Sequence, residues 1–327
     1  MKIDIRKFID SDITKEEALK LCNLKGKELM QLFSVANEIR EKYCKNILET
    51  CTITNAKSGM CSEDCKFCAQ SAVYNTHVQC YSLKSIELLK KEYEEAVKNQ
   101  SQRFGIVTSG KNMKKDSKDF NTLLTFIREI NQKEKPLEIC CSLGLLSYEE
   151  MTELKKAGAK RYHCNIQTSP EKYNKFAATT HSIKDRIETI KNAKRAGLDI
   201  CSGGIIGMGE SWKDRIDMAF ALKELDVNGI PINILNPIKN TPHGEREILS
   251  VDEILKTIAI FRIILKDKNI KIAAGRENIF KDFMGMGFLA GANGMLVGGY
   301  LTVKGRETAE DLAFIKSIKK LWDFHVE

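Results

Sequence analysis

Apolar residues at three- and four-residue spacing mark the first 45 residues as helical, with Gly26 breaking the run. The pattern then changes. ILETCTITNAKSG (47–59) is β-branched and ends in turn residues, as a strand does. An amphipathic helix follows in SLKSIELLKKEYEEAVK, with Ser82 as its expected N-cap. From there strand-like and helix-like stretches alternate. RFGIVTSG (103–110), LEICCSLG (137–144), RYHCNIQTS (161–169), LDICSGGIIGMG (198–209), GIPINIL (229–235), IKIAAGRE (270–277) and ANGMLVGG (292–299) are short apolar runs of strand type. Between them lie helical stretches, among them DFNTLLTFIREINQ, HSIKDRIETIKNAKRAG and IFKDFMGMGFLAG, and a last helix is expected over 307–323. Ser147 with Glu150 three residues later has the capping-box pattern.

Strands separated by helices imply a parallel sheet, because a crossover helix returns the chain to the same edge. Eight such units predict an α/β fold, a (β/α)8 TIM-type barrel over 46–327, behind an N-terminal helical extension over 1–45. An open doubly wound sheet is the alternative. A barrel would place its chemistry at the C-terminal ends of the strands. Cys140, Asn165, Gln167, Cys201, Asn233 and Arg276 all fall in or just after strand candidates.

Composition narrows the class. Of 327 residues, 43% are hydrophobic and 29% charged, which supports an ordinary core and excludes a disordered tail. No stretch reaches the length of apolar chain that spans a bilayer. MKIDIRKFIDSD has no apolar signal region, so a cytoplasmic place is expected, with no membrane partner. The net charge of +8 is spread over amphipathic helices and reads as solvated faces, with nucleic acid or an anionic substrate as alternatives. No nucleic-acid partner is expected.

Cysteine carries the candidate chemistry. There are 11, an odd number, which favours metal or redox use over disulfides. Cys61, Cys65 and Cys68 form a C-x3-C-x2-C triplet directly after the first strand, on a loop at the barrel rim. Three close thiolates can ligate three irons of a cubane and leave the fourth open. A zinc knuckle is the alternative, with His77 as the nearby fourth ligand. Cys22, Cys44 and Cys51 read as small buried apolar residues, and His163 as a hydrogen-bonded core histidine. Met284, Met286 and Met295 read as packing.

The triplet resembles that of the radical S-adenosylmethionine superfamily. That resemblance implies a 4Fe-4S cluster on Cys61, Cys65 and Cys68 whose open iron chelates S-adenosylmethionine, with Phe67 against the adenine. CSEDCKFCAQS, LEICCSLG, YHCNIQTSPEKY, CSGGIIGMGE, PINILNPIKNTP and AAGRE, in this order, are similar to the biotin synthase family within it, over about 35–320. Such enzymes insert sulfur between carbons 6 and 9 of dethiobiotin, and the sulfur comes from a sacrificial auxiliary iron–sulfur cluster. The resemblance implies that Cys140, Cys201 and Arg276 are ligands of that cluster. It also implies that Asn165 and Asn233 bond dethiobiotin or the adenosyl ribose, and that Arg186 lies near the S-adenosylmethionine carboxylate. The backbone at Ile205 is the implied adenine edge. A flavodoxin or ferredoxin is the expected electron donor, and a homodimer the expected assembly.

Two positions depart from the family. Gly105 stands where a cluster cysteine is usual, and Gln167 where a ribose-binding aspartate is usual. Strand alternation turns Cys141 and Cys164 outward if Cys140 and Asn165 point in. Cys80, on a loop above the barrel, is then the expected extra ligand of an auxiliary cluster larger than the usual 2Fe-2S type. A conventional cluster with a substitute ligand, or none, are the alternatives. The competing activities are a hydrogenase-maturation or methylornithine-forming relative on the same barrel, and a non-catalytic metal-storage or electron-carrier protein.

Overall fold

The structure is a computed structural model that describes residues 3–299, 301 and 305–322. Its strands are β1 (Glu49–Lys57), β2 (Arg103–Thr108), β3 (Glu138–Ser142) and β4 (Arg161–His163). β5 comes as two short pieces (Asp199–Cys201 and Gly204–Ile206), followed by β6 (Gly229–Ile234), β7 (Asn269–Ile272) and β8 (Gly294–Leu296). All are parallel and each pairs with the next. β8 returns to β1 with Gly294 opposite Glu49, so the sheet closes. The barrel reading holds and the open sheet is set aside.

Serines start the helices that wrap the barrel. Ser85, not Ser82, caps α3 (Ile86–Lys98), with its hydroxyl accepting from the Leu88 amide at 3.3 Å. Ser147 and Glu150 form the expected reciprocal box, and Ser182 and Ser211 pair with Asp185 and Asp214 in the same way. Each box satisfies amides that a helix start would leave bare. In the N-terminal extension, α1 (Lys15–Leu21) packs on α8 (Trp212–Glu224), and α2 (Gly26–Cys44) on α9 (Val251–Leu265). Among the described residues no helix is long and apolar enough to cross a membrane.

Inside the barrel, alternation stacks the inward side chains in layers. At the floor Glu49 pairs with Arg161 at 2.7 Å, with Arg103 at 2.9 Å, and with Lys271. Next come the thiols of Cys51, Cys140 and Cys201. Above them Ile53, Ser142, Asn165, Asn233 and Leu296 line an open cavity. Outward residues such as Phe104, Ile139, Cys141, Tyr162 and Cys164 join the helix-facing core.

Three boundaries differ from the sequence pattern. β4 stops at His163, and β5 breaks at Ser202–Gly203, so 164–169 and 202–203 are free to shape the cavity. β7 ends at Ile272, and Gly275 turns the chain with φ +87. Arg276 therefore opens a helix, α10 (Arg276–Phe280), instead of ending a strand. The helix expected over 279–291 breaks at Lys281, whose φ is +44, before α11 (Met284–Leu289). α12 (Thr308–Trp322) takes the place of the expected 307–323 helix, whose last residue lies outside the described residues.

Candidate functional site

The triplet loop is folded on itself and pinned to the barrel. The Cys61 amide donates to Gln70 O at 3.1 Å, Ala72 to Cys61 O at 2.8 Å, and Cys68 to Cys65 O at 3.0 Å. Asp64 accepts from the amides of Thr179 and Thr180 at 2.8 and 3.1 Å. Burial pushes the Asp64 carboxyl up, but the bonds from Thr179 and Thr180 outweigh it and hold it well below the usual carboxylate range. Lys66 Nζ donates to the carbonyls of Asn174 and Lys175, both at 2.9 Å. The loop is thus anchored from residues on both sides of Cys65. Burial first, then the neighbouring Cys68, pushes the Cys65 thiol up to about 12. Such a thiol ionises only against a metal or a strong cation. His77 is exposed on the same loop. Among the described residues no three metal-binding side chains converge on a single-ion point. A cubane needs no such point, because each thiolate takes its own iron.

Beside the triplet lies a polar chain that sequence reasoning missed. Arg186 Nε donates to the Tyr173 hydroxyl at 2.5 Å, Tyr173 meets His181 Nδ1 at 3.0 Å, and His181 Nε2 lies 3.5 Å from Cys65 Sγ. Burial and then Arg186 lower the His181 pKa from its ordinary value. Tyr173 closes the YHCNIQTSPEKY stretch but no motif signal marks His181, whose link to Cys65 spans more than a hundred residues.

The cavity holds about 360 Å³ and runs from Phe67 and Cys68 at the rim to Ile53, Ser142 and Leu296 inside. Phe67 and Ile205 pack on one small apolar cluster with Phe176, Met208 and Leu235. Together they form an apolar wall beside the triplet. Asn165 Oδ1 accepts from the Gly203 amide at 3.0 Å. Asn233 spans Gly204 O and the Ala274 amide at 3.1 and 3.2 Å. Both asparagines line the cavity while satisfying backbone, so each fixes a wall. Gln167 also lines it, with φ +68 and a buried Oε1 that has no hydrogen-bond partner among the described residues. A left-handed glutamine with an orphan acceptor is the kind of tension that collects at binding sites. At Gly204 a Cβ would lie 2.5 Å from Gln167 O, so only glycine lets these two walls meet.

Below the cavity, the surroundings of three residues bear on the auxiliary ligand set expected from the sequence. Cys51 is no isolated apolar residue: it is 2% exposed, and Lys271 Nζ lies 3.0 Å from its sulfur. Cys140 and Cys201, each 1% exposed, share this space. Burial first, then Cys51, pushes the Cys140 thiol up to about 12. Arg276 is fully buried and paired with carboxylates, with NH2 2.9 Å from Asp311 and Nε 3.0 Å from Glu277. The Gly275 turn carries it off the strand, and the inward cation of β7 is Lys271. Cys80 is exposed on the rim, packed against Gly59 and held there by the Ser58–Tyr81 bridge. Gly105 is opposite Ile53 on β1 and Cys140 on β3, and a Cβ there would come 3.0 Å from Ile53 Cγ2. The third buried thiol is therefore supplied one strand away, by Cys51. His163 is half-buried with Nε2 unpartnered, opposite Cys201 in the β4–β5 register.

The buried charges fit an anionic group. Arg103, Arg161 and Lys271 face one buried carboxylate, Glu49. Burial pushes the Glu49 carboxyl up, yet Lys271, Arg161 and Arg103 hold it well below its ordinary range. Glu138 and Asp199 pair with Arg103 and Arg161 from the more exposed side, and thiolates held on a metal would add negative charge against the same cations.

Comparison with known proteins agrees with this geometry. The Radical SAM superfamily profile matches residues 56–222, and the Biotin and Thiamin Synthesis associated domain matches 231–319. A biotin synthase of Clostridium tetani is 47% identical, covering 97% of each chain. One from Carboxydothermus hydrogenoformans is 43% identical, covering 96% of each. A solved methylornithine synthase superposes with a TM-score of 0.80 at 18% identity, covering 96% of each chain. A maturase of the [FeFe]-hydrogenase gives 0.80 at 18%, covering 96% of this chain and 73% of its own. At that identity the last two show the barrel fold alone. The near-full-length identity to curated biotin synthases, on a barrel that carries the triplet at its rim, shows that this chain belongs to the biotin synthase family of radical S-adenosylmethionine enzymes.

Proposed function

We propose that the chain converts dethiobiotin to biotin and draws the inserted sulfur from an auxiliary cluster held by Cys51, Cys140 and Cys201. The observation that carries this is the buried trio of thiols over three cations, two residues below the cavity lining on β1 and β3. Two strand residues rise about 7 Å, so a cluster there is within reach of a substrate in the cavity. When bound, the rim cluster and S-adenosylmethionine supply a carbon radical able to take hydrogen from unactivated carbon, and the lower cluster supplies sulfide.

The protein's own groups do the rest. Phe67 and Ile205 hold the adenine, and the Arg186 guanidinium holds the carboxylate of S-adenosylmethionine. Gln167 offers its free Oε1 to the ribose. Asn165 and Asn233 stiffen the wall against which dethiobiotin sits. Apolar Ile53, Ile205 and Leu296 keep water from a reactive radical. Three thiols suit a cluster larger than two irons with one open iron, as at the rim. An electron arrives from a flavodoxin or ferredoxin at the rim, where Met60 is 78% exposed next to Cys61. Family likeness supports a cytoplasmic homodimer.

Iron and sulfide analysis with Mössbauer spectra of the reconstituted protein tests the reading. About eight irons per chain are expected, about four at each site. Cys51→Ala should keep the rim cluster and still release 5′-deoxyadenosine, yet form no biotin. A count of about four irons in the unaltered chain, or full biotin formation by Cys51→Ala, contradicts it.

A further inference from the structure

His181 lies just ahead of α7 (Ile183–Arg195), wedged between Tyr173 and the triplet loop. Its two nitrogens face different partners. Nδ1 is 3.0 Å from the Tyr173 hydroxyl. Nε2 is 3.5 Å from Cys65 Sγ and 4.0 Å from Glu63 Oε2, a buried carboxylate oxygen with no hydrogen-bond partner.

The order of hydrogens is set from the far end of the chain. A guanidinium has donors only, so at the 2.5 Å contact Arg186 Nε donates and the Tyr173 oxygen accepts. The hydroxyl hydrogen is then free to go to His181 Nδ1, an arrangement that places the ring hydrogen on Nε2. That hydrogen faces two acceptors, the Cys65 sulfur and the Glu63 carboxylate. Arg186 NH2, 3.4 Å from Nε2, favours the opposite tautomer, but it is one donor against two acceptors, the Cys65 sulfur and the buried Glu63 carboxylate.

A hydrogen bond to a cluster-ligating sulfur draws negative charge from it and favours the state with one more electron. We propose that His181 is a positioning residue that holds an N–H against the Cys65 thiolate and so raises the reduction potential of the rim cluster, with Tyr173 and Arg186 fixing its tautomer. The proposal rests on the assignment of Cys61, Cys65 and Cys68 as ligands of that cluster. Its consequence is selective: the cluster becomes easier to reduce, while the ligand set stays the same.

The test is an anaerobic redox titration of the reconstituted holoenzyme. It follows the paramagnetic signal that changes when S-adenosylmethionine is added, which separates the rim cluster from the buried one. His181→Phe keeps a ring but removes the donor. At a fixed ambient potential its ratio of reduced to oxidised cluster should fall about tenfold, equal to about 59 mV for a one-electron couple. His181→Gln, which keeps an N–H, should recover most of that shift. Tyr173→Phe lets the ring hydrogen sit on either nitrogen and should give a smaller shift of the same sign. A His181→Phe protein with its full iron and an unshifted potential overturns the proposal while leaving the cluster assignment intact. If His181→Phe assembles no cluster, Tyr173→Phe decides, and an unshifted potential there overturns it equally. If Cys65→Ser leaves the signal unchanged, the assignment itself fails and the proposal with it.

Discussion

A side chain on a strand points inward or outward by parity. Glu49, Cys51 and Ile53 share one parity on β1, and the contacts of Glu49 with Arg161 and of Ile53 with the cavity show which side is in. Cys51 thereby stands among the buried thiols, although its sequence surroundings, ILETCTITN, mark it only as strand. Arg276 shows the converse: a chemically suggestive residue used for architecture. Its guanidinium and the Asp311 carboxylate are both fully buried and pair at 2.9 Å. Removing one partner of such a pair leaves an uncompensated charge and costs about 3–5 kcal/mol. Arg276→Met should therefore lower the midpoint of chemical unfolding strongly, while the folded fraction keeps its iron. Loss of iron without loss of stability would return Arg276 to the ligand set.

At the scale of elements, the alternation of apolar strand and amphipathic helix was legible in the sequence nearly throughout, because a buried parallel strand and a one-sided helix leave different periods. The capping box at Ser147 was legible for the same local reason, and Ser147→Ala should cost about 1 kcal/mol, read as a shift in unfolding midpoint. The rim triplet was legible from spacing alone. The buried trio of thiols was legible only in part: the resemblance supplied Cys140 and Cys201, while Cys51 on β1 joins them only once the barrel closes. The end of β7 also escaped, because Ala273 and Ala274 suit a strand and the turn depends on Gly275 at φ +87. The split of β5 has a physical cause too. The Gly203–Gly204 segment runs against Pro231 O and Gln167 O, where any Cβ would clash. Gly204→Ala should push the Gln167 wall outward and weaken S-adenosylmethionine binding at least tenfold in equilibrium dialysis. Unchanged binding would mean that the cosubstrate does not lie along this wall.

At the scale of the molecule, charge pairs stitch the helical extension to the barrel. Lys15 of α1 reaches Asp217 of α8 at 2.7 Å and Lys223 of α8 reaches Asp12 at 3.0 Å, while within the barrel Lys268 reaches Asp226 at 2.8 Å. Burial pushes the Asp217 carboxyl up, but Lys15 and Lys213 outweigh it; Lys268 and Lys194 hold Asp226 low. A carboxyl whose folded pKa lies below its unfolded value, about 3.9, stabilises the fold above that value and stops doing so as pH falls through the folded one. The melting temperature should thus be level above about pH 5 and fall below about pH 4. Asp217→Asn with Asp226→Asn should flatten that acid limb. An unchanged limb would place the acid sensitivity elsewhere.

The same scale holds the central claim, since rim triplet, cavity and buried thiols act in one turnover only if sulfur travels upward from Cys51, Cys140 and Cys201. The direct measurement is a single anaerobic turnover of protein reconstituted with isotope-labelled sulfide. It is run with dethiobiotin, S-adenosylmethionine and a reductant, and the product is weighed by mass spectrometry. The account predicts labelled biotin from the unaltered chain. From Cys51→Ala it predicts 5′-deoxyadenosine with no labelled biotin. Unlabelled biotin, or labelled biotin in equal yield from Cys51→Ala, would contradict it.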